Sequence, residues 1–107
     1  MKRGSVWWVE FDPSVGSEIN KTRPAIIVSN DIANQHIARV VVIPLTSNVS
    51  RIYPGEAVVT INEIKNKATS DQIMSADKSR LKSKIAELSE TDMLSVEAAM
   101  KRFFDFS

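Results

Sequence analysis

Apolar residues fall along this chain in short runs separated by polar punctuation, and the period within most runs is that of strands. Val6-Trp7-Trp8-Val9 is aromatic and β-branched, which predicts a strand from Gly4 to Phe11, with Glu10 marking where it reaches water. Ala25-Ile26-Ile27-Val28 is apolar without interruption and predicts a second strand buried on both faces. Val40-Val41-Val42-Ile43-Pro44-Leu45 repeats that design in a third strand, Ala38 to Leu45, whose proline implies an edge, a bulge or a bend at a barrel corner. Glu56 to Ile61 is a fourth strand, Thr69 to Ser75 a fifth, and Lys84 to Leu88 a short last one.

The connections carry turn chemistry. Asp12-Pro13 and Gly16 announce a loop from Asp12 to Lys21, and Tyr53-Pro54-Gly55 a turn after Arg51. Ser29-Asn30-Asp31 is a helix N-cap signature for a short turn through Ile32, Ala33 and Asn34, with His36 facing solvent after it. Asn62 to Ala68 reads as a polar loop, and Ala76 to Leu81 as one helical turn. Ser89-Glu90-Thr91-Asp92 resembles a capping box that opens a helix to about Phe104. On it Met93, Val96, Met100 and Phe103/Phe104 share one stripe, and Glu97 and Lys101 are spaced to pair. Trp7 and Trp8 read as core or subunit-interface residues.

Short strands, hairpin-sized connections and one terminal helix predict a mainly β fold with a C-terminal helix, a small and strongly bent antiparallel barrel. At 107 residues it is expected to be a single domain, 1–107. The absence of cysteine excludes disulfides and thiolate metal sites and fits a reducing, cytoplasmic compartment. The N-terminus runs straight into a strand, so neither a signal peptide nor a membrane span is expected. A single histidine removes mechanisms that need a histidine pair in one chain, and no cluster of His, Asp and Glu has metal-ligand spacing. No cofactor is implied. With a net charge of +1, nucleic-acid binding would rest on a local patch, for which Lys21, Arg23, Arg51, Lys65 and Lys67 are the candidates.

The candidate chemistry lies where two apolar strands meet water. Pro24 holds Arg23 extended against the start of the second strand, and an interior this apolar cannot carry a guanidinium, so Arg23 points out from the end of the sheet. The third strand ends in Thr46-Ser47-Asn48. These strands are expected to place Arg23 and Thr46 in one site.

Five blocks, in order and covering nearly the whole chain, carry a resemblance. They are Gly4-x-Val6-x-Trp8-Val9; Asp12-Pro13-x-x-Gly16-Ser17-Glu18; Thr22-Arg23-Pro24-Ala25-Ile26-Ile27-Val28-Ser29-Asn30-Asp31; Pro44-Leu45-Thr46-Ser47; and Asp71-Gln72-Ile73 with Asp77-Lys78-Ser79-Arg80-Leu81. Together they resemble the MazF/PemK toxins, in their MazF-like branch. The resemblance implies an SH3-like barrel, a homodimer, and metal-independent, sequence-specific cleavage of single-stranded mRNA. It implies as partner an acidic antitoxin whose disordered tail occupies the RNA groove, with DNA binding in that antitoxin's company. It assigns Arg23 and Thr46 as the catalytic pair; Ser17, Glu18, Lys21, Ser47, Asn48, Arg51 and Gln72 are read beside it as candidates for RNA contact. The chain departs from the Kid/PemK branch, which has histidine where Ser17 stands and arginine where Thr69 stands. It departs from most relatives at Met74, where they carry arginine.

RNA supplies its own nucleophile, the 2′-hydroxyl, so positioning and charge stabilisation suffice for cleavage. Arg23 offers a planar fork of donors to a phosphate building negative charge, and the Thr46 hydroxyl a further donor. With a pKa above about 12, an arginine is a poor general base, so Arg23 is read as stabiliser first and proton donor second. Glu18 is a candidate helper. A rival reading keeps the barrel and drops catalysis: CcdB-like toxins poison DNA gyrase through the end of the C-terminal helix, and Phe103, Phe104 and Phe106 form an aromatic cluster there.

Overall fold

A computed structural model describes residues 1–11 and 21–106 of the chain, with Lys21 described in its backbone only. The elements in order are β1 (Ser5–Phe11), β2 (Lys21–Ile27), α1 (Asp31–His36), β3 (Arg39–Thr46), β4 (Glu56–Ile61), β5 (Ile64–Thr69), β6 (Met74–Asp77), β7 (Leu81–Glu87) and α2 (Glu90–Phe104). Single 3₁₀ turns, Ser70–Gln72 and Lys78–Arg80, flank β6. The strands form one antiparallel sheet in the order β4-β5-β3-β2-β1-β7, with β6 also on β3, and α2 packs chiefly on β4.

β3 is the strand around which this sheet bends. Its first half pairs with β6, Arg39 to Val42 against Asp77 to Met74, and its end pairs with β5, Leu45 and Thr46 against Ala68 and Lys67. Pro44 sits in the gap between the two neighbours, where its missing N–H leaves no ladder bond unmade. The expected corner is there. Ala25 to Val28 are all buried, as a strand covered on both faces requires. One face contributes Ile26 and Val28 to a cluster with Val6, Ile43, Leu45, Val59, Val96 and Ala99, beneath α2. The other contributes Ala25 and Ile27 to a cluster with Val9, Val40, Val42, Ala76 and Leu81.

The structure corrects several sequence expectations. The polar stretch Asn62 to Ala68 is not a loop: from Ile64 it is β5, joined to β4 by a two-residue turn at Asn62 and Glu63, both at positive φ (48° and 69°). That is a tight hairpin turn without the glycine that usually marks one. The expected strand Thr69 to Ser75 is the end of β5, a 3₁₀ turn and the start of β6, while β7 begins at Leu81 rather than Lys84. The expected helical turn at Ala76 to Leu81 contracts to Lys78–Arg80. His36 closes α1 instead of following it, and is exposed as expected. Glu97 pairs with Arg3 at 2.7 Å rather than with Lys101. In α2, Val96 and Ala99 are buried and Met93 and Met100 pack partly on the core, but Phe103 and Phe104 leave the stripe and are exposed. Trp7 is half-buried, its indole N–H donating to Ser5 Oγ at 3.0 Å, whereas Trp8 is exposed. The Ser89 cap on α2 is as expected, accepting the Asp92 N–H.

Candidate functional site

The ends of β2 and β3 build the site. β2 pairs with β3 at Ala25–Pro44, Ile26–Ile43 and Ile27–Val42; the ladder stops there, with Arg23 two residues before Ala25 and Thr46 two residues after Pro44 on these antiparallel strands. On its other side Arg23 lies opposite Val9 of β1. By the two-residue period Arg23 shares a sheet face with Ala25 and Ile27, which belong to a buried apolar cluster. Arg23 is half-buried, and among the described residues no group accepts a hydrogen bond from its guanidinium.

Thr46 is half-buried and lies opposite Lys67 of β5. Its hydroxyl oxygen accepts the Asn48 N–H at 3.3 Å, which turns the chain out of the sheet, and Ser47 beside it is exposed. Asn48 Oδ1 accepts from the Ser50 N–H at 3.3 Å and hydroxyl at 2.8 Å. Arg51 is exposed and donates from Nη1 to the Tyr53 hydroxyl at 3.3 Å. Gln72 is exposed at the end of a 3₁₀ turn whose first residue, Ser70, donates its N–H to the Gly55 carbonyl at 3.1 Å. Ser17 and Glu18 lie outside the described residues, as does the side chain of Lys21, whose backbone pairs with Phe11. Thus Arg23, Thr46, Ser47 and Asn48 share the sheet end, while Arg51 and Gln72 adjoin one another's turns around Gly55.

A clamp missed in the sequence holds this second group. Lys67 Nζ lies 3.1 Å from Glu56 Oε1, donates to the Arg51 carbonyl at 3.0 Å and stands 5.8 Å from the centre of the Tyr53 ring. Glu56 also accepts the Tyr53 N–H at 2.8 Å, and that bond, followed by the Lys67 ammonium, holds its carboxyl below the usual range. Lys67 is therefore paired rather than a free cation for a ligand. The pairing follows from the β4–β5 register, Val58 opposite Lys67 and Glu56 opposite Thr69, which makes Glu56 and Lys67 diagonal neighbours. Recognising residues 64–69 as a strand would have revealed it.

The departures from relatives also have places. Thr69 is buried and donates from Oγ1 to the Pro44 carbonyl at 3.3 Å, bracing the bend in β3. Met74 is exposed at the start of β6. Among the described residues no three His, Cys, Asp or Glu side chains are grouped to hold a metal ion, and no helix is long and apolar enough to cross a membrane.

Known proteins share this fold. The family of PemK-like, MazF-like toxins of type II toxin–antitoxin systems matches residues 2–104. The chain is 35% identical to endoribonuclease MazF9 of Mycobacterium tuberculosis, over 98% of this chain and 97% of that one. Among solved structures it superposes on an endoribonuclease in complex with its cognate antitoxin from a mycobacterial species, with a TM-score of 0.84 and 22% identity, covering 100% of this chain and 97% of that one. It also superposes on MazE–MazF from Deinococcus radiodurans, with a TM-score of 0.81 and 25% identity over 100% and 97% of the two chains. The chain belongs to the PemK-like, MazF-like toxin family of type II toxin–antitoxin systems.

Proposed function

We propose that this toxin is an endoribonuclease that cleaves single-stranded mRNA at short sequences without a metal, and so arrests translation and growth. The observation that supports the reading is that β2 and β3 are paired antiparallel neighbours whose ladder ends two residues short of Arg23 on one strand and of Thr46 on the other. Attack by the 2′-hydroxyl on the adjacent phosphate builds negative charge on the non-bridging oxygens. The Arg23 fork, on the sheet face of the buried Ala25 and Ile27, meets those oxygens, and the Thr46 hydroxyl donates a further hydrogen bond. The products are a 2′,3′-cyclic phosphate and a 5′-hydroxyl. Ser47, Asn48, Arg51 and Gln72, with Ser17, Glu18 and Lys21, contact the flanking RNA.

The family and the named activity of the mycobacterial relative support this chemistry over gyrase poisoning. Its setting is the cytoplasm, where mRNA is, and its inhibitor an acidic antitoxin; the Deinococcus relative is crystallised as MazE–MazF. The working form is a homodimer, because one shallow site cannot seat several nucleotides and a two-fold repeat extends the groove. Primer extension on a long RNA, run in excess EDTA with the wild type and Thr46→Ala, tests the reading. Discrete stops with the wild type and their disappearance in the variant are expected. Loss of wild-type cleavage in EDTA with recovery in Mg²⁺ would overturn metal independence.

A further inference from the structure

Residues 47–55 lie outside strands and helices, although Thr46 opens this stretch and Ser47, Asn48 and Arg51 lie on it. What holds its first half is a chain of hydrogen bonds that begins at the clamp. Glu56 Oε1 accepts the Tyr53 N–H at 2.8 Å and the Lys67 ammonium at 3.1 Å, and that ammonium also donates to the Arg51 carbonyl at 3.0 Å. The peptide link leads from Arg51 to Ser50, whose N–H and hydroxyl donate to Asn48 Oδ1. The Asn48 N–H in turn donates to Thr46 Oγ1. Among the described residues, the bond from Lys67 is the one hydrogen bond that ties residues 48–52 to a strand beyond β3.

Lys67 therefore holds both ends of the excursion. Its backbone stands opposite Thr46 in the β3–β5 ladder, and its ammonium holds the chain again at Arg51. The Lys67 and Glu56 side chains are each only 13% exposed, so the pair is not one of the adaptable ion pairs of an open surface. An ion pair so withdrawn from water adds little net stability over apolar side chains of the same volume. What it supplies here is direction, because an ammonium donates to a carbonyl and an apolar side chain in its place does not. The direction reaches the Thr46 hydroxyl. With the Asn48 N–H on one lone pair of its oxygen, the hydroxyl proton is left for an acceptor outside the turn.

We propose that Glu56 and Lys67 are positioning residues for RNA cleavage: through the Arg51 carbonyl they hold the turn after Thr46 in the arrangement that aims the Thr46 hydroxyl at the scissile phosphate. Neither side chain touches the reacting atoms. The Arg51 side chain is exposed and follows the RNA whether or not its carbonyl is held, so the pair acts on turnover rather than on binding. The proposal rests on the endoribonuclease reading, and its test keeps the two apart.

The wild type, Lys67→Met, Lys67→Arg, Glu56→Gln and Thr46→Ala are assayed for kcat and KM on a short RNA with one cleavage site, at a temperature where circular dichroism shows each to be folded. A matched RNA carrying a 2′-deoxy nucleotide at the cleavage position reports binding without turnover. Lys67→Met should lower kcat about tenfold, inside the roughly 10²-fold that a misplacement of about 1 Å costs, with Kd for the deoxy RNA within about twofold. Glu56→Gln keeps an acceptor for the Tyr53 N–H and loosens the ammonium, so kcat should fall less, by about threefold. Lys67→Arg retains donors for both acceptors and should bring kcat back to within about twofold of wild type. An active wild type and an inactive Thr46→Ala, together with a lower melting point but unchanged kcat and KM in Lys67→Met, would overturn the proposal and leave the clamp a structural brace. A loss confined to KM and Kd would also overturn it, in favour of Lys67 as a direct RNA contact. Failure of the wild type to cleave, or full activity in Thr46→Ala, would remove the underlying reading instead.

Discussion

The two ends of the β2–β3 pair carry polar side chains of similar chemistry and use them differently. At the α1 end nearly every polar group named is tied within the protein. Ser29 Oγ accepts the Val41 N–H at 3.0 Å and donates to Asn34, and the buried Asn34 amide donates back to the Ser29 carbonyl at 2.9 Å. Arg3 donates its N–H to Asp31 at 2.7 Å and its Nε to the Val28 carbonyl at 3.1 Å, and pairs with Glu97; the Arg3 N–H is also the main reason the Asp31 carboxyl lies below its usual range. At the opposite end Arg23 has no such partner among the described residues, and Ser47 is exposed. An arginine is thus a brace at one end and, among the described residues, a donor without an acceptor at the other. Polar groups that satisfy one another hold a fold; those left with capacity at a rigid strand end have it available for a ligand.

Substitutions at the two ends should therefore fail differently. Arg23→Ala should lower kcat/KM on RNA by about 10²–10³-fold, the usual cost of one transition-state donor, while its melting curve stays that of the wild type. Arg23→Lys should recover little, because an ammonium cannot reproduce a two-pronged contact. At the other end, Asn34→Ala leaves Ser29 and its carbonyl short of partners in a buried setting. It should cost about 1–3 kcal/mol in denaturant unfolding, with the specific activity of the folded protein unchanged.

The Glu56–Lys67 clamp stands between these extremes, and pH reads it. The Glu56 carboxyl is held low in the folded protein, so its contribution to stability is present above the ordinary carboxylate range and is lost as pH falls through the depressed value. Glu56→Gln should melt below the wild type at neutral pH, and the gap should narrow steadily on acidification; a gap independent of pH would argue against the ion pair. The smallest effect is expected from deleting Phe104 to Ser107. Phe104 and Phe106 are exposed at and after the end of α2, so RNA cleavage should stay within about threefold of wild type, by the small cost of surface changes away from a site. Toxicity lost with that deletion while cleavage persists would point to a second target.

How far the sequence discloses these features depends on how local their causes are. The paired apolar runs, the Pro44 corner, the N-caps at Asn30 and Ser89 and the placement of Arg23 and Thr46 on adjacent strand ends depend on period, backbone restriction and capping, all of which can be read within a few residues. β5 could not be read that way. Its residues Ile64-Lys65-Asn66-Lys67 show neither β-branched density nor a clean alternation, and its turn uses Asn62-Glu63 at positive φ without glycine. What makes it a strand is its ladder with β4 and the end of β3. The clamp and the paired state of Lys67 follow from that pairing and stayed hidden with it. Glu97 illustrates the same point on α2, where a partner from the N-terminus displaces the neighbour four residues away.

The central claim is that the RNA's own 2′-hydroxyl attacks a phosphate held by Arg23 and Thr46. A short RNA with a single 2′-deoxy nucleotide at the mapped cleavage position tests this most directly, compared with the all-ribose RNA in excess EDTA. The account predicts that the all-ribose strand is cut to a 2′,3′-cyclic phosphate and a 5′-hydroxyl, while the deoxy strand binds equally well and is not cut there. Cleavage of the deoxy strand at a comparable rate would contradict it.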